Sequence, residues 1–214
     1  MKEFRKISFI GLGLIASSIC LTLRQKDPTI KLVGYDKDKV VRNRAKKIGL
    51  CKVESNLDNA VSGSQLIVLC VPVGQMQAVT RRLKKIIEPG TTITDVGSVK
   101  LSVIEEIESN IESVGGKYVP SHPIAGTERS GPDAGYAGLF EGRWCILTPT
   151  KKTNKKALNS LETFWKFLGM QTKIMTPEHH DLVLAVTSHA PHLIAYTMVA
   201  VSYTHLTLPT SSWV

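Results

Sequence analysis

Apolar positions along this chain fall into two alternating patterns. Short, nearly continuous apolar runs occur at residues 5–10 (Arg5-Lys6-Ile7-Ser8-Phe9-Ile10), 30–36, 65–72, 91–96, 117–120, 143–148 and 171–175. Runs of four to eight residues bounded by glycine, proline or polar clusters read as strands, and those lacking alternation read as strands buried on both faces. Between them lie longer stretches with helical spacing: about Ala16–Arg24, Lys37–Ile48, Gly74–Ile87, one opening at Gly97-Ser98-Val99-Lys100, and Asn154–Leu168. Strand alternating with helix predicts a doubly wound α/β domain with a mostly parallel sheet over residues 1–175.

The pattern changes at Thr176. Thr176-Pro177-Glu178 has a hydroxyl for the N-cap, proline at the first helical position and an acid near the positive end of the dipole. From Asp181 to Ala200 the chain is apolar nearly all round, which predicts a helix buried on every side. Ser188, His189, Pro191 and His192 in its middle argue against a membrane span. His189 and His192 share a helix face, and Pro191 disturbs the local hydrogen bonding enough to steer them toward a cleft. His179-His180 reads as a polar helix start and nothing more.

Chemistry enters at the first strand. It runs directly into Gly11-Leu12-Gly13-Leu14-Ile15-Ala16 and then a helix, the setting that a dinucleotide-binding turn requires. Gly11 permits the tight turn, Gly13 lets a pyrophosphate approach the backbone, and Ala16 lets helix and strand pack closely. The helix start supplies free N–H groups and a positive dipole end. Asp36 closes the second strand 25 positions after Gly11, where a carboxylate accepts from the adenosine ribose and repels a 2′-phosphate. This predicts NAD over NADP, although Asp36 could instead cap the following helix. Ligands of such Rossmann-type sheets lie beyond the carboxyl ends of the strands, where Val71-Pro72, Gly97-Ser98 and the loop at Ser121 fall.

That loop, Ser121-His122-Pro123-Ile124-Ala125-Gly126-Thr127-Glu128-Arg129-Ser130-Gly131, shows no strong helix or strand pattern. Prolines flank it at Pro120 and Pro132, and it packs an imidazole, hydroxyls, a carboxylate and a guanidinium into a few positions. Such loops build sites better than cores. Net charge is +9, but the basic residues are dispersed and aromatics make up 6%, so no nucleic-acid stripe forms. The densest cluster, Arg81-Arg82-Leu83-Lys84-Lys85, reads as a solvated helix face. The four cysteines have no metal-ligand spacing, and three sit among apolar neighbours like buried free thiols, so no metal is expected and a reducing, cytoplasmic setting is. A strand pattern follows Met1 almost at once, with no signal peptide before it.

Taken together, Gly11–Ala16, Asp36, Asp95-Val-Gly-Ser-Val-Lys100, Ser121–Glu128, Leu139-Phe-Glu-Gly-Arg143 and Ser188-His-Ala-Pro-His192 resemble the prephenate/arogenate dehydrogenase family, from about Lys6 to Ala200. The resemblance implies oxidative decarboxylation of prephenate, or of arogenate, with hydride passed to NAD in tyrosine biosynthesis. It implies His122 as the catalytic proton acceptor and Ser98 as a serine that orients it and touches nicotinamide or substrate. Gly11 to Ala16, Asp36, Val71, Pro72 and Gly97 would contact the cofactor. Thr127, Glu128, Ser98, Ser188, His189 and His192 would line the substrate pocket. Departures are Ala16-Ser17-Ser18 where further glycine is usual, and Ala190 where leucine is frequent.

The family continues into a helical domain that dimerises and supplies an arginine for a substrate carboxylate. By this resemblance residues 176–200 are the first helix of a truncated all-α domain, and 201–214 resemble a translated sequencing adapter, a non-native tail. The expected consequence is a chain that binds NAD and turns over poorly. Two rivals remain at this point. One is a hydroxy-acid dehydrogenase or imine reductase of the same fold, which relies on a catalytic lysine. The other is a regulatory module that binds NAD without chemistry.

Overall fold

A computed structural model describes residues 3–205, with the backbone alone for 189, 192 and 202–205. Residues 206–214, most of the segment taken for a non-native tail, lie outside the described residues, as do the side chains of His189 and His192. Six parallel strands form the main sheet: β1 (Lys6–Ile10), β2 (Lys31–Tyr35), β3 (Lys52–Val53), β4 (Leu66–Leu69), β5 (Thr92–Asp95) and β6 (Lys117–Tyr118). Their order is β3-β2-β1-β4-β5-β6, so the winding reverses between β1 and β4. Helices α1 (Leu14–Lys26), α2 (Lys39–Lys47), α3 (Leu57–Val61), α4 (Met76–Leu83) and α5 (Leu101–Glu112) cross between these strands.

The period of two in the strands sorts the core into two layers. Ile7, Phe9, Leu66 and Val68 face α1 in one cluster, while Ile10, Ile67 and Leu69 face α4 and α5 in the other. All of these side chains are buried, which is why these strands read as continuous apolar runs.

Several sequence-based expectations need correction. The segment after Tyr118 does not extend the first sheet. β7 (Ser121–Pro123), β8 (Trp144–Leu147) and β9 (Gln171–Ile174) make a separate three-stranded sheet, with β7 antiparallel to β8 and β8 parallel to β9. The supposed loop start at Ser121–Pro123 is therefore a strand, too short for periodicity to show. β3 and α3 also go unpredicted, at two and five residues. α6 (Lys155–Phe167) covers the second sheet and its Trp165 and Phe164 rings stack edge-on in the core.

The last elements are α7 (Pro177–Leu184), a π-helical turn (Ala185–His189) and α8 (Ala190–His205). Thr176 caps α7, its side chain accepting from the His179 N–H at 3.2 Å. Pro191 lacks the N–H that would continue an i→i−4 ladder, and the wide turn stands just before it. The helix is not buried on every side: Leu182, Val186, Leu193 and Tyr196 are all at least 65% exposed.

Candidate active site

Where the winding reverses, a cavity of about 590 Å³ opens beyond the carboxyl ends of β1, β2 and β4. Gly11, Gly13, Asp36, Val71 and Pro72 line it, as the sequence leads one to expect. Gly11 has φ +94°, and a Cβ there would stand 2.5 Å from the Cys70 carbonyl oxygen, so no other residue fits the turn. A Cβ on Gly13 would meet open space, leaving the N-terminus of α1 bare for an incoming group. Leu12 and Ala16 are fully buried and shape the turn from beneath.

Asp36 does not cap α2. Asp38 does, accepting from the Val40 N–H at 2.7 Å. Asp36 instead accepts from the Leu12 N–H and the Asp38 N–H, each at 2.9 Å, which fixes its carboxylate against the glycine turn. Lys37 and Arg82 also line the cavity, so Arg82 belongs to more than the solvated helix face assigned to it. A donor-rich helix start, a fixed carboxylate and basic rim groups suit a dinucleotide with its pyrophosphate and adenosine ribose.

At the next strand ends, a second group of residues is buried. Asp95 closes β5 and pairs with Lys100, both side chains being wholly inaccessible. The same carboxylate accepts from the Gly97 N–H at 2.8 Å and the Tyr118 hydroxyl at 2.8 Å. Lys100 Nζ also donates to the Ser121 carbonyl at 2.8 Å, and Ser121 Oγ donates to the Asp95 carbonyl at 2.7 Å. A buried ion pair persists only when such bonds satisfy its remaining donors and acceptors, and losing one partner costs about 3–5 kcal/mol. Here they fasten β7, and with it His122, to the end of β5. Burial raises the Tyr118 hydroxyl well above its usual pKa, and the neighbouring Asp95 adds to this.

His122 is buried on β7. Its Nδ1 lies 2.9 Å from His180 Nε2, with the rings edge to face at 5.1 Å. His180, dismissed from sequence as a polar helix start, is fully inaccessible, and its Nδ1 lies 2.7 Å from Asp181 Oδ1. Burial holds His180 below its usual pKa despite the pull of Asp181. Burial pushes Asp181 up, but the Leu101 N–H and the His180 ring outweigh it and leave the carboxyl low. The one available signal for His180 was its place in the stripe Pro177, His180, Leu184, the buried face of α7.

Of the other anticipated residues, Gly97 is buried against Asp95, and Ser98 is exposed on the turn after β5. At Nδ1 the described partner of His122 is His180. Thr127 and Glu128 line a separate open hollow of about 430 Å³ with Arg129 and Tyr136. Ser188 is half-buried within the π turn. Beyond that loop, Arg44 grips Asp133 with Nε at 2.8 Å from both carboxylate oxygens, tying the loop's far end to α2. A hollow of about 450 Å³ opens at the opposite, amino-terminal strand edge, by Gln65, Thr91 and Lys117, and gathers none of these groups.

The family model described as "Prephenate dehydrogenase, nucleotide-binding domain" matches residues 19–174. The chain belongs to the prephenate dehydrogenase family. A second model, "Prephenate dehydrogenase, dimerization domain", matches residues 176–212, so the two meet where the sequence changes character at Thr176. The cyclohexadienyl dehydrogenase of Zymomonas mobilis is 41% identical over 200 residues, covering 93% of this chain and 68% of that protein. The prephenate dehydrogenase of Bacillus subtilis is 34% identical over 90% of this chain, which spans only 52% of it. Among solved structures, prephenate dehydrogenase from A. aeolicus in complex with hydroxyphenyl propionate and NAD+ superposes with a TM-score of 0.88. It is 29% identical and covers 97% of this chain and 75% of its own.

Proposed function

We propose that this chain carries the cofactor domain and catalytic loop of an NAD-dependent prephenate dehydrogenase, with a helical substrate and dimerisation domain beginning at residue 176. The observation that carries the proposal is His122, buried on β7 where that strand is fastened to the carboxyl end of β5, and held through Nδ1. NAD, bound at the glycine turn, supplies the hydride acceptor. Prephenate bears a ring hydroxyl on the carbon that loses hydride, and its proton must leave as the carbonyl forms. His122 accepts it, and a neutral imidazole suits that task near neutral pH. The bond to the ring carboxylate then breaks, CO₂ departs, and its electron pair completes the aromatic ring as a phenolate, which takes up a proton to give 4-hydroxyphenylpyruvate. This last step asks only that the substrate stay positioned. In this assignment Thr127 and Glu128, with Ser188, His189 and His192, would serve the substrate pocket, and Ser98 would contact the nicotinamide.

The fit to NAD at the glycine turn and the family's dimerization domain support the cofactor and a homodimer. In the active enzyme, His122→Asn should cut prephenate-dependent NADH formation by about 10²–10⁴-fold while NAD affinity, read by fluorescence titration, holds. Unchanged turnover would remove His122 from the chemistry and leave a dinucleotide-binding module.

A further inference from the structure

Asp181, His180 and His122 stand in a row from α7 to β7. The Asp181 carboxylate has one more duty. Its Oδ1 accepts from the Lys100 N–H at 2.8 Å and its Oδ2 from the Leu101 N–H at 2.9 Å. These are orphan donors at the start of α5, which has no side-chain cap of its own. A residue of the segment after Thr176 thus caps a helix of the cofactor domain.

We infer that His180 and Asp181 are positioning residues that fix His122 as the Nδ1–H tautomer, and that the cap on α5 makes this setting depend on α7 being docked. The inference rests on His122 being the proton acceptor proposed above. The proton assignment follows from the end of the row. A carboxylate held ionised by backbone N–H groups can only accept, so His180 donates from Nδ1. Buried neutral, His180 then offers Nε2 as an acceptor, and His122 must donate from its own Nδ1. That leaves Nε2 as the accepting nitrogen of the His122 ring. The reverse assignment sets a His180 lone pair against the Asp181 carboxylate, an arrangement that only a protonated His180 escapes. Burial and Lys100 oppose that charge, while Asp181 and Asp95 favour it, and the opposing pair prevails.

Nitrogen NMR on labelled histidines tests this in the 214-residue chain, whatever its turnover. His122 should show a protonated Nδ1 and a pyridine-like Nε2 at neutral pH. His180→Gln keeps a carbonyl acceptor near the lost Nε2 and should preserve that tautomer, whereas His180→Leu should leave a mixture. In the active enzyme, kcat for His180→Leu should fall by about 10–10²-fold with KM for NAD within about twofold, and His180→Gln should recover most of the loss. In Asp181→Ala, amide exchange at Lys100 and Leu101 should quicken and the His122 preference should weaken together. A wild-type His122 protonated on Nε2, or a tautomer indifferent to His180→Leu, overturns the inference. Faster exchange in Asp181→Ala with His122 unmoved overturns the coupling to α7. If His122→Asn leaves turnover intact, the catalytic assignment fails instead, and the tautomer result stands apart from it.

Discussion

His180 is an imidazole wholly inaccessible to solvent, and that sets a proton balance between folded and unfolded chains. Its folded pKa lies below its ordinary 6.5, because burial penalises the charged ring. As pH falls through 6.5 the unfolded chain takes up a proton that the folded chain refuses, so stability is full above that value and is lost below it. Asp181 acts in the same direction at lower pH. Its folded pKa lies below its usual 3.8, so its contribution is present above 3.8 and lost as pH falls through the folded value. Thermal melts between pH 7.5 and 5 should therefore fall in the wild type and flatten in His180→Gln, at about 2–4 °C for each kcal/mol involved. Equal slopes would show that His180 is charged in the fold. Helical spacing puts His180 on the buried face of α7, but its ring partner His122 lies 58 positions away, and so no local pattern shows what it does there. Asp95 and Lys100 differ in being only five positions apart. Their motif was visible, but not that both side chains turn inward.

At the scale of elements, local rules suffice wherever the partners are close in sequence. The β1–glycine–α1 turn is legible because turn, close approach and helix start occupy consecutive positions, and Asp36 because parallel pairing of β1 with β2 sets Ile10 beside Tyr35. The glycine turn then makes its own prediction. Gly11→Ala would place a methyl group 2.5 Å from the Cys70 oxygen at a φ that side chains avoid. It should cost about 1–3 kcal/mol in denaturant unfolding and weaken NAD binding at least tenfold by titration, since β1 and β4 must separate to relieve it. Gly13→Ala serves as the contrast. Its methyl meets no protein atom, so stability should hold while NAD affinity alone declines. β7 was hidden for the opposite reason. Its three residues pair with β8 more than twenty positions on, and a strand that short leaves no alternation to read. That His122, the proton acceptor proposed above, rides on a strand and not on a free loop explains how it can be held in one orientation.

For the whole molecule the question is what covers α7 and α8. The main sheet has apolar clusters on both faces and needs nothing more. The stretch Pro177–Val201 is long and apolar enough to cross a membrane by length and composition alone, yet α7 docks on the cofactor domain through Asp181 and His180. Its sequence is that of a buried helix, and its match is to a dimerization domain, so a protein partner accounts for its character better than lipid does. In the proposed dimer, Leu193 and Met198, exposed at 69% and 64%, would pass out of water. Burying one such side chain is worth about 1.5–3 kcal/mol, or about 10–150-fold in an association constant. Leu193→Lys with Met198→Lys should therefore weaken self-association of the active protein by at least 10²-fold in sedimentation velocity. NAD affinity should remain unchanged, because neither residue lines the glycine-turn cavity. If the doubly substituted protein associates as the wild type does, the contact lies elsewhere. Recruitment of the wild type, but not the variant, to neutral lipid vesicles would instead give the face to a membrane.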